Sequence, residues 1–130
     1  MRLAPDANSQ TMVDKFAEIM TKDPPYNCKI TITNKFGGDG FLQKVPDQWL
    51  SDAIMQAGKT YYGAPSGSYG DGGSIPFLNT LAQKYPKTQV IAFGVLGPFS
   101  NAHGPNEFLE LTYCKRLTCS LSYILTEAAK

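Results

Sequence analysis

The sequence predicts an α/β protein in which helices cover strands. Four stretches place apolar residues at the three- and four-residue spacing of an amphipathic helix. Residues 29–33 (KITIT) alternate between polar and apolar side chains, as in a strand with one buried face. Residues 90–96 (VIAFGVL) form an almost unbroken apolar run, which suits a strand covered by helices on both faces.

The first part of the chain is expected to form a β-α-β unit. Residues 2–4 predict a short strand, and residues 29–33 predict the second one. Ser9 is the predicted N-cap of the helix between them, and the prolines at 24 and 25 are expected to end it. The apolar face of this helix consists of Met12, Val13, Phe16, Ile19 and Met20.

A glycine-rich stretch, KFGGDGF at residues 35–41, separates this unit from the rest of the chain. Three glycines in seven positions are typical of a flexible turn, and the apolar pattern changes after them. We therefore expect two domains, one at residues 1–40 and the other at residues 41–130.

The second part alternates helices with buried strand. One helix is expected to end at Gly63, and another to run from Ser74 until Pro86 stops it. The apolar face of the first of these helices consists of Trp49, Leu50, Ala53, Ile54 and Ala57, and that of the second consists of Leu78, Leu81 and Ala82. A last, C-terminal helix has an apolar face of Leu117, Leu121, Ile124 and Leu125. Together with residues 90–96 they predict an α/β layered arrangement.

The composition excludes several classes of protein. A formal net charge of +1, with no basic cluster, argues against nucleic-acid binding. No apolar run is long enough for a membrane span, and the N-terminus MRLAPDANSQ lacks the apolar core of a secretory signal. The odd count of three cysteines argues against a disulfide framework, so Cys28, Cys114 and Cys119 are expected to be buried, reduced thiols. A cytoplasmic location fits these features.

His103 is the only histidine, and it stands in GVLGPFSNAHGPNEF at residues 94–108. Glycine, proline and asparagine around it predict a tight loop. Glu107 follows four residues later, but Gly104 and Pro105 disfavour a helix, so Glu107 is expected to accept a hydrogen bond from the imidazole ring. These residues alone leave open whether His103 is a metal ligand or a hydrogen-bonded loop histidine.

A second candidate site lies in GDGGSIP at residues 70–76. Glycines lead into a serine at a predicted helix start, where unpaired N–H groups and the helix dipole favour an anion. The stretch matches neither the P-loop nor the GxGxxG pattern, so a capped loop-to-helix transition is the alternative.

The residues around Arg2, MRLAP, contain no further sign of a binding site. From these residues alone, Arg2 is expected to be an ordinary surface arginine.

The order of four motifs resembles one enzyme family. RLAP, then PPYNCKIT, then GDGGSIPFLNTL and finally GVLGPFSNAHGPNEFL are similar to the C-terminal third of di-zinc metallopeptidases related to carnosinase, cytosolic non-specific dipeptidase, aminoacylase and glutamate carboxypeptidase. The resemblance covers nearly the whole chain. GGSIP and NAHGPNE, about 30 residues apart, are its most specific part.

The resemblance implies a fold and a site. Residues 1–40 would be the end of a ferredoxin-like lid domain, and residues 41–130 the C-terminal α/β portion of the catalytic domain. His103 would bind one of two zinc ions that activate a water, with Glu107 behind it. The residues Arg2, Gly73 and Ser74 would hold the free carboxylate of a small peptide or acyl amino acid. The full-length protein is expected to be a homodimer.

The sequence departs from the family in one respect. The other zinc ligands and the general base of the family precede the lid, and this chain has one histidine and no paired glutamates. We therefore expect a piece of a larger enzyme that is inactive by itself. The alternatives are a non-catalytic module that binds carboxylate or phosphate, and an interaction domain whose uncovered apolar faces self-associate.

Overall fold

The computed structural model describes residues 3–70 and 75–130. Its α-helices are α1 (Ser9–Lys22), α2 (Gln48–Tyr62), α3 (Pro76–Lys84) and α4 (Leu111–Ala128), and a single turn of 3₁₀ helix spans Pro25–Asn27. Over these two ranges no residue lies in a strand. None of the described helices has the combination of length and apolar character that a membrane span needs.

The predicted α/β class is therefore wrong, both for the β-α-β unit of a ferredoxin-like lid and for the α/β catalytic portion. The structure is all-helical over the described residues. Residues 29–33 and 90–96, which we expected to be strands, have no regular secondary structure, and neither do Leu3 and Ala4. The physical reason is that a strand exists only through hydrogen bonds to a neighbouring strand. The apolar pattern specifies which side chains avoid water, but it does not supply that neighbour.

The chain divides into two compact units. The first comprises Met1–Gln43 and Gly70–Thr88, and the second comprises Lys44–Tyr69 and Gln89–Lys130. The first unit contains α1 and α3, and the second contains α2 and α4. Each unit therefore combines segments that are distant in sequence.

In the first unit, α1 is held against the glycine-rich stretch that follows it. Asn8, rather than the expected Ser9, is the N-cap, and its Oδ1 accepts a hydrogen bond from the Thr11 N–H at 2.9 Å. The Ser9 N–H instead donates to Asp39 Oδ1 at 2.7 Å. Gly37 lies so close that an added Cβ would be 2.8 Å from Val13 Cγ2, so a side chain at this position would push the stretch away from α1.

Only a small part of the apolar face of α1 is covered. Val13 is buried at 8% exposure, whereas Phe16 and Ile19 are exposed. The helix itself was correctly predicted, and it ends before the expected prolines, with Asp23 as its C-cap. Its periodicity therefore identified the helix but overstated how much of its face is packed.

In the second unit, α2 packs on α4 and forms the main core. Leu50, Ala53 and Ala57 of α2 meet Ile124 of α4, and all four are less than 9% exposed. The two alanines present little bulk, which allows the helices to approach closely. Ile54, Tyr61, Ile91 and Tyr123 are partly buried around this core. The predicted apolar stripe of α2 is thus confirmed for its central residues.

The C-terminus of α2 has the conformation that its glycine permits. Gly63 is the C-cap at φ 76°, in the left-handed region, and its N–H donates to the Lys59 carbonyl at 3.2 Å. A side chain in this region meets its own backbone, so glycine is the favoured C-terminal residue of a helix. The end of the helix at Gly63, which the sequence predicts, is confirmed.

Replacing Gly63 by alanine is expected to lower the free energy of unfolding by about 1 kcal/mol, because alanine is strained at this backbone angle. Gly67→Ala is the matched control, since Gly67 has open space for a Cβ and is not in the left-handed region. Urea unfolding followed by circular dichroism measures both variants. Equal midpoints for the two variants would contradict this explanation of the helix end.

The cysteines differ in their exposure. All three are free thiols, and Cys28 and Cys119 are exposed while Cys114 is partly buried. The expectation that all three are buried is therefore wrong. Cys114 and Cys119 both lie on α4, five positions apart. At this spacing their side chains lie on different faces of the helix.

Candidate functional site

The loop that carries His103 lies in the second unit, between residues 90–96 and α4. Ser100, only 2% exposed, anchors it. The Ser100 Oγ accepts a hydrogen bond from the Gly97 N–H at 2.9 Å, and the Ser100 N–H donates to the Gly97 carbonyl at 3.2 Å. The Ser100 carbonyl in turn accepts from the Phe108 N–H at 3.1 Å, which closes the loop. The loop is thus defined by its own hydrogen bonds.

Four residues of this loop other than glycine have left-handed backbone angles. They are Phe99 (φ 68°), Asn101 (φ 56°), His103 (φ 60°) and Asn106 (φ 58°). Asparagine and histidine are enriched in this region, whereas phenylalanine is unfavourable there. Such a conformation costs free energy, and residues of this kind cluster at binding and catalytic sites. Of the four, Phe99 therefore has the least favourable backbone conformation.

His103 itself is exposed. Its backbone N–H donates to Glu107 Oε2 at 3.1 Å, so the carboxylate fixes the backbone of the histidine. No hydrogen bond of the imidazole ring occurs among the described residues. Glu107 is thus next to His103, as expected, and its predicted contact with the ring nitrogen stays a prediction.

Asn101 and Gly104 complete the turn that presents His103. The Gly104 N–H donates to the Asn101 carbonyl at 2.9 Å, and the Asn101 side-chain amide donates to the Pro105 carbonyl. An added Cβ at Gly104 would lie 2.7 Å from Asn101 Oδ1. Glycine at position 104 therefore leaves room for the asparagine side chain that spans the loop.

The three predicted carboxylate-binding residues, Arg2, Gly73 and Ser74, lie outside the described residues. The helix that follows the last two, α3, begins at Pro76 with Ile75 as its N-cap. A proline at the first helical position is favourable because the N–H it lacks would have no partner within the helix. The expected start of this helix at Ser74 is therefore two residues early.

The ligand set for a metal ion is incomplete in the described part of the chain. No group of three or more histidine, cysteine, aspartate or glutamate side chains comes together there. A catalytic zinc site normally takes three protein ligands. His103 offers one exposed imidazole, so the described residues supply at most one of these ligands.

A groove of about 450 Å³ lies elsewhere in the second unit, along α2 and α4. Its lining includes Trp49, Asp52, Lys59, Tyr123 and Glu127. Neither His103 nor Glu107 borders it. The Glu127 carboxylate is paired with Lys130 at 2.7 Å, so part of the charge at the groove is already neutralised.

The loop is joined to α4 by a glutamate that the sequence analysis did not single out. Glu110 is the N-cap of α4, and its carboxylate accepts hydrogen bonds from the backbone N–H groups of Tyr113 and Thr112. These bonds favour the charged form and hold the pKa of Glu110 below its ordinary value of 4.5. Glu110 thus fixes the direction in which α4 leaves the loop.

This cap gives α4 a stability that depends on pH. Because the pKa of Glu110 is lower in the folded state, its contribution is present above pH 4.5 and is lost as the pH falls through the folded pKa. We expect Glu110→Gln to reduce the difference between the urea midpoints measured at neutral pH and at about pH 3. Glu18→Gln, at an exposed position within α1, is the control. If the difference between the two urea midpoints is the same in Glu110→Gln as in the wild type, the Glu110 cap does not cause the pH dependence of stability.

Two residues that hold the loop, Ser100 and Asn101, were also missed. The asparagines beside glycine and proline in SNAHGPN are the signal that could have identified the left-handed positions, because asparagine tolerates them. Burial of Ser100 has no signature in the sequence, since serine is usually exposed. No protein-family model and no curated protein matches the chain.

Proposed function

We propose that this chain contributes one zinc ligand and a carboxylate-binding corner to a two-zinc hydrolase of dipeptides or acyl amino acids. The observation that supports this most is the loop around His103. Four left-handed backbone positions, of which only Phe99 is an unfavourable residue type, and a buried serine present one exposed imidazole. Loops of this kind cost stability and persist where a side chain must be held for function.

Each residue of the loop has a specific role in the proposal. The His103 imidazole binds one zinc ion through a neutral ring nitrogen. Glu107 holds the backbone of His103 through the observed hydrogen bond and restricts how the loop can move. Zinc bound there would supply a Lewis acid for a substrate carbonyl and would lower the pKa of a bound water. The remaining ligands and the general base come from other parts of the enzyme.

The carboxylate corner consists of Arg2, Gly73 and Ser74. A guanidinium pairs with a carboxylate through two parallel hydrogen bonds, and backbone N–H groups near a helix start add further donors. A substrate held by its free carboxylate is thereby oriented with its amide bond at a fixed distance from the corner. This contact favours molecules with a free carboxylate next to the amide over those without one. The proposal includes a homodimeric enzyme in the cytoplasm.

The carboxylate corner predicts a selective kinetic effect. In the enzyme that contains this chain, Arg2→Ala should raise KM for substrates with a free carboxylate by roughly 10- to 100-fold, because a charge-assisted hydrogen bond is lost. The same substrates with an amidated carboxylate should be hydrolysed almost as before. Arg2→Lys keeps the charge but not the planar fork, so we expect an intermediate KM.

The proposed corner fails if Arg2→Ala slows the free and the amidated substrates equally. Such a result would indicate that Arg2 supports the structure and does not contact the carboxylate. Thermal unfolding of each variant separates the two explanations, since a structural role also lowers the unfolding temperature.

A second candidate function is a non-catalytic module that binds carboxylate or phosphate. It is favoured by the incomplete set of metal ligands in the described residues. Calorimetric titration of the 130-residue chain with zinc chloride, acetate and inorganic phosphate distinguishes the candidates. Anion binding that is unaffected by zinc and lost in Ser74→Ala favours the module, whereas the zinc hydrolase predicts weak binding of anions to the chain alone.

A further inference from the structure

Residues 90–96, with the sequence VIAFGVL, have the composition of a segment that pairs with itself. They contain no charged residue and no proline, and three of the seven are β-branched. Segments of six or seven residues with high β-propensity and low charge form stacked strands when they are exposed. The segment is thus a candidate for pairing between chains.

Within the part of the chain that the structure describes, this segment has no paired strand. Residues 90–96 have no regular secondary structure, and their backbone groups form no hydrogen bond with any described residue. Phe93 is 49% exposed and Leu96 is 55% exposed. Two apolar side chains are therefore exposed in a segment whose backbone is not paired with a described strand, and such a segment resembles an unprotected strand edge.

The two ends of the segment are fixed in the second unit. Before it, Gln89 Oε1 accepts a hydrogen bond from the Asp47 N–H at 2.9 Å, next to the start of α2. Within it, Ile91 packs against the core of α2 and α4. After it, Gly97 is bonded to Ser100. Holding both ends lowers the entropy that the segment loses when it pairs.

We propose that residues 90–96 form an intermolecular β-strand with the same residues of a second copy of this chain. In parallel, in-register pairing, each side chain stacks on its identical partner, and no like charges meet because the segment has none. Each of its seven residues has a backbone donor and acceptor to offer. This interaction does not depend on zinc or on the proposed hydrolase.

Self-assembly of the full 130-residue chain tests the proposal. At tens of micromolar, a range in which exposed strand edges associate, thioflavin T fluorescence follows the assembly. Hydrogen exchange with mass spectrometry locates protected amides. We expect protection of residues 90–96 in the assembled protein and not in the monomer. Protection confined to other residues, for example the exposed face of α1, would overturn the proposal, and so would a chain that stays monomeric.

A matched pair of proline variants sharpens the test. Val95→Pro removes a backbone donor inside the segment and is expected to slow assembly by about tenfold or more. Val45→Pro is the same substitution at an exposed position, 89% exposed, without regular structure and in the same unit. It should assemble at the wild-type rate. Equal rates for the two variants would contradict pairing through residues 90–96.

A second pair covers the case in which Val95→Pro unfolds the helices. Phe93→Lys keeps every backbone donor but stacks like charges in the paired segment, so it should also slow assembly. Phe36→Lys, at a side chain that is 79% exposed in the first unit, is its control. If Phe93→Lys assembles as fast as Phe36→Lys while both keep their helical circular dichroism, the proposal is wrong.

Discussion

If the proposed zinc hydrolase exists, replacing His103 by alanine in it is expected to remove about one zinc ion per subunit and to lower kcat/KM by more than roughly 100-fold. Loss of a residue that only orients a metal ligand already costs about 10- to 100-fold, so loss of a ligand itself should cost more. Zinc content measured by mass spectrometry and the kinetics of dipeptide hydrolysis test both parts of the expectation.

His103→Asn is the control for this experiment. Residue 103 has φ 60°, and alanine is strained at this angle, so His103→Ala could act by distorting the loop. Asparagine tolerates the left-handed region and keeps the backbone N–H that Glu107 accepts, but it has no imidazole. The zinc-ligand role predicts that both variants lose zinc. An active His103→Asn enzyme with full zinc content would show that the loop conformation matters and the ring does not.

The second large effect concerns the core of the second unit. Leu50→Ala is expected to lower the free energy of unfolding by roughly 2–5 kcal/mol, because Leu50 is 1% exposed between α2 and α4 and its removal leaves a cavity. A typical domain is stable by only about 5–15 kcal/mol, so this variant should lose a large share of its stability. Urea unfolding followed by helical circular dichroism provides the value.

Leu125→Ala is the matched control for the core. It is the same substitution on α4, but Leu125 is 62% exposed, so the change should stay within about 0.5 kcal/mol. If Leu125→Ala lowers the free energy of unfolding as much as Leu50→Ala, α4 packs on α2 through a different face from the one described.

The helices could be predicted because their signals are local. The apolar stripe of α2 and the glycine at 63 determine both its buried face and its end, and each acts within a few residues. The same reasoning placed Leu125 in the core by its spacing from Leu121, yet it is exposed. The spacing of apolar residues identifies an apolar stripe about 100° wide on the helix surface. Which residues of that stripe are buried depends on where the partner helix packs.

The strands could not be predicted, because pairing is a long-range property. Residues 29–33 and 90–96 have the alternation and the apolar run that strands show, but a strand also needs a neighbour in the right register. In the described chain neither segment has such a neighbour. For residues 90–96, the same composition that suggested a buried strand is the basis of the proposed pairing between copies.

The candidate site was partly predictable. Glycine, proline and asparagine indicate the loop around His103, and the structure confirms that the residue lies in a loop. The buried Ser100 and the hydrogen bond from the His103 backbone to Glu107 follow from tertiary geometry that no spacing rule contains. Arg2, Gly73 and Ser74 lie outside the described residues, so their role stays a prediction from the motifs.

The most direct test of the central claim is the position of zinc relative to His103. Crystals of the proposed hydrolase grown with zinc and measured at the zinc absorption edge would show each bound zinc ion as an anomalous peak. We predict a peak about 2.0–2.1 Å from a ring nitrogen of His103. Fully loaded zinc sites with no peak within coordination distance of that ring would contradict the claim that this chain supplies a zinc ligand.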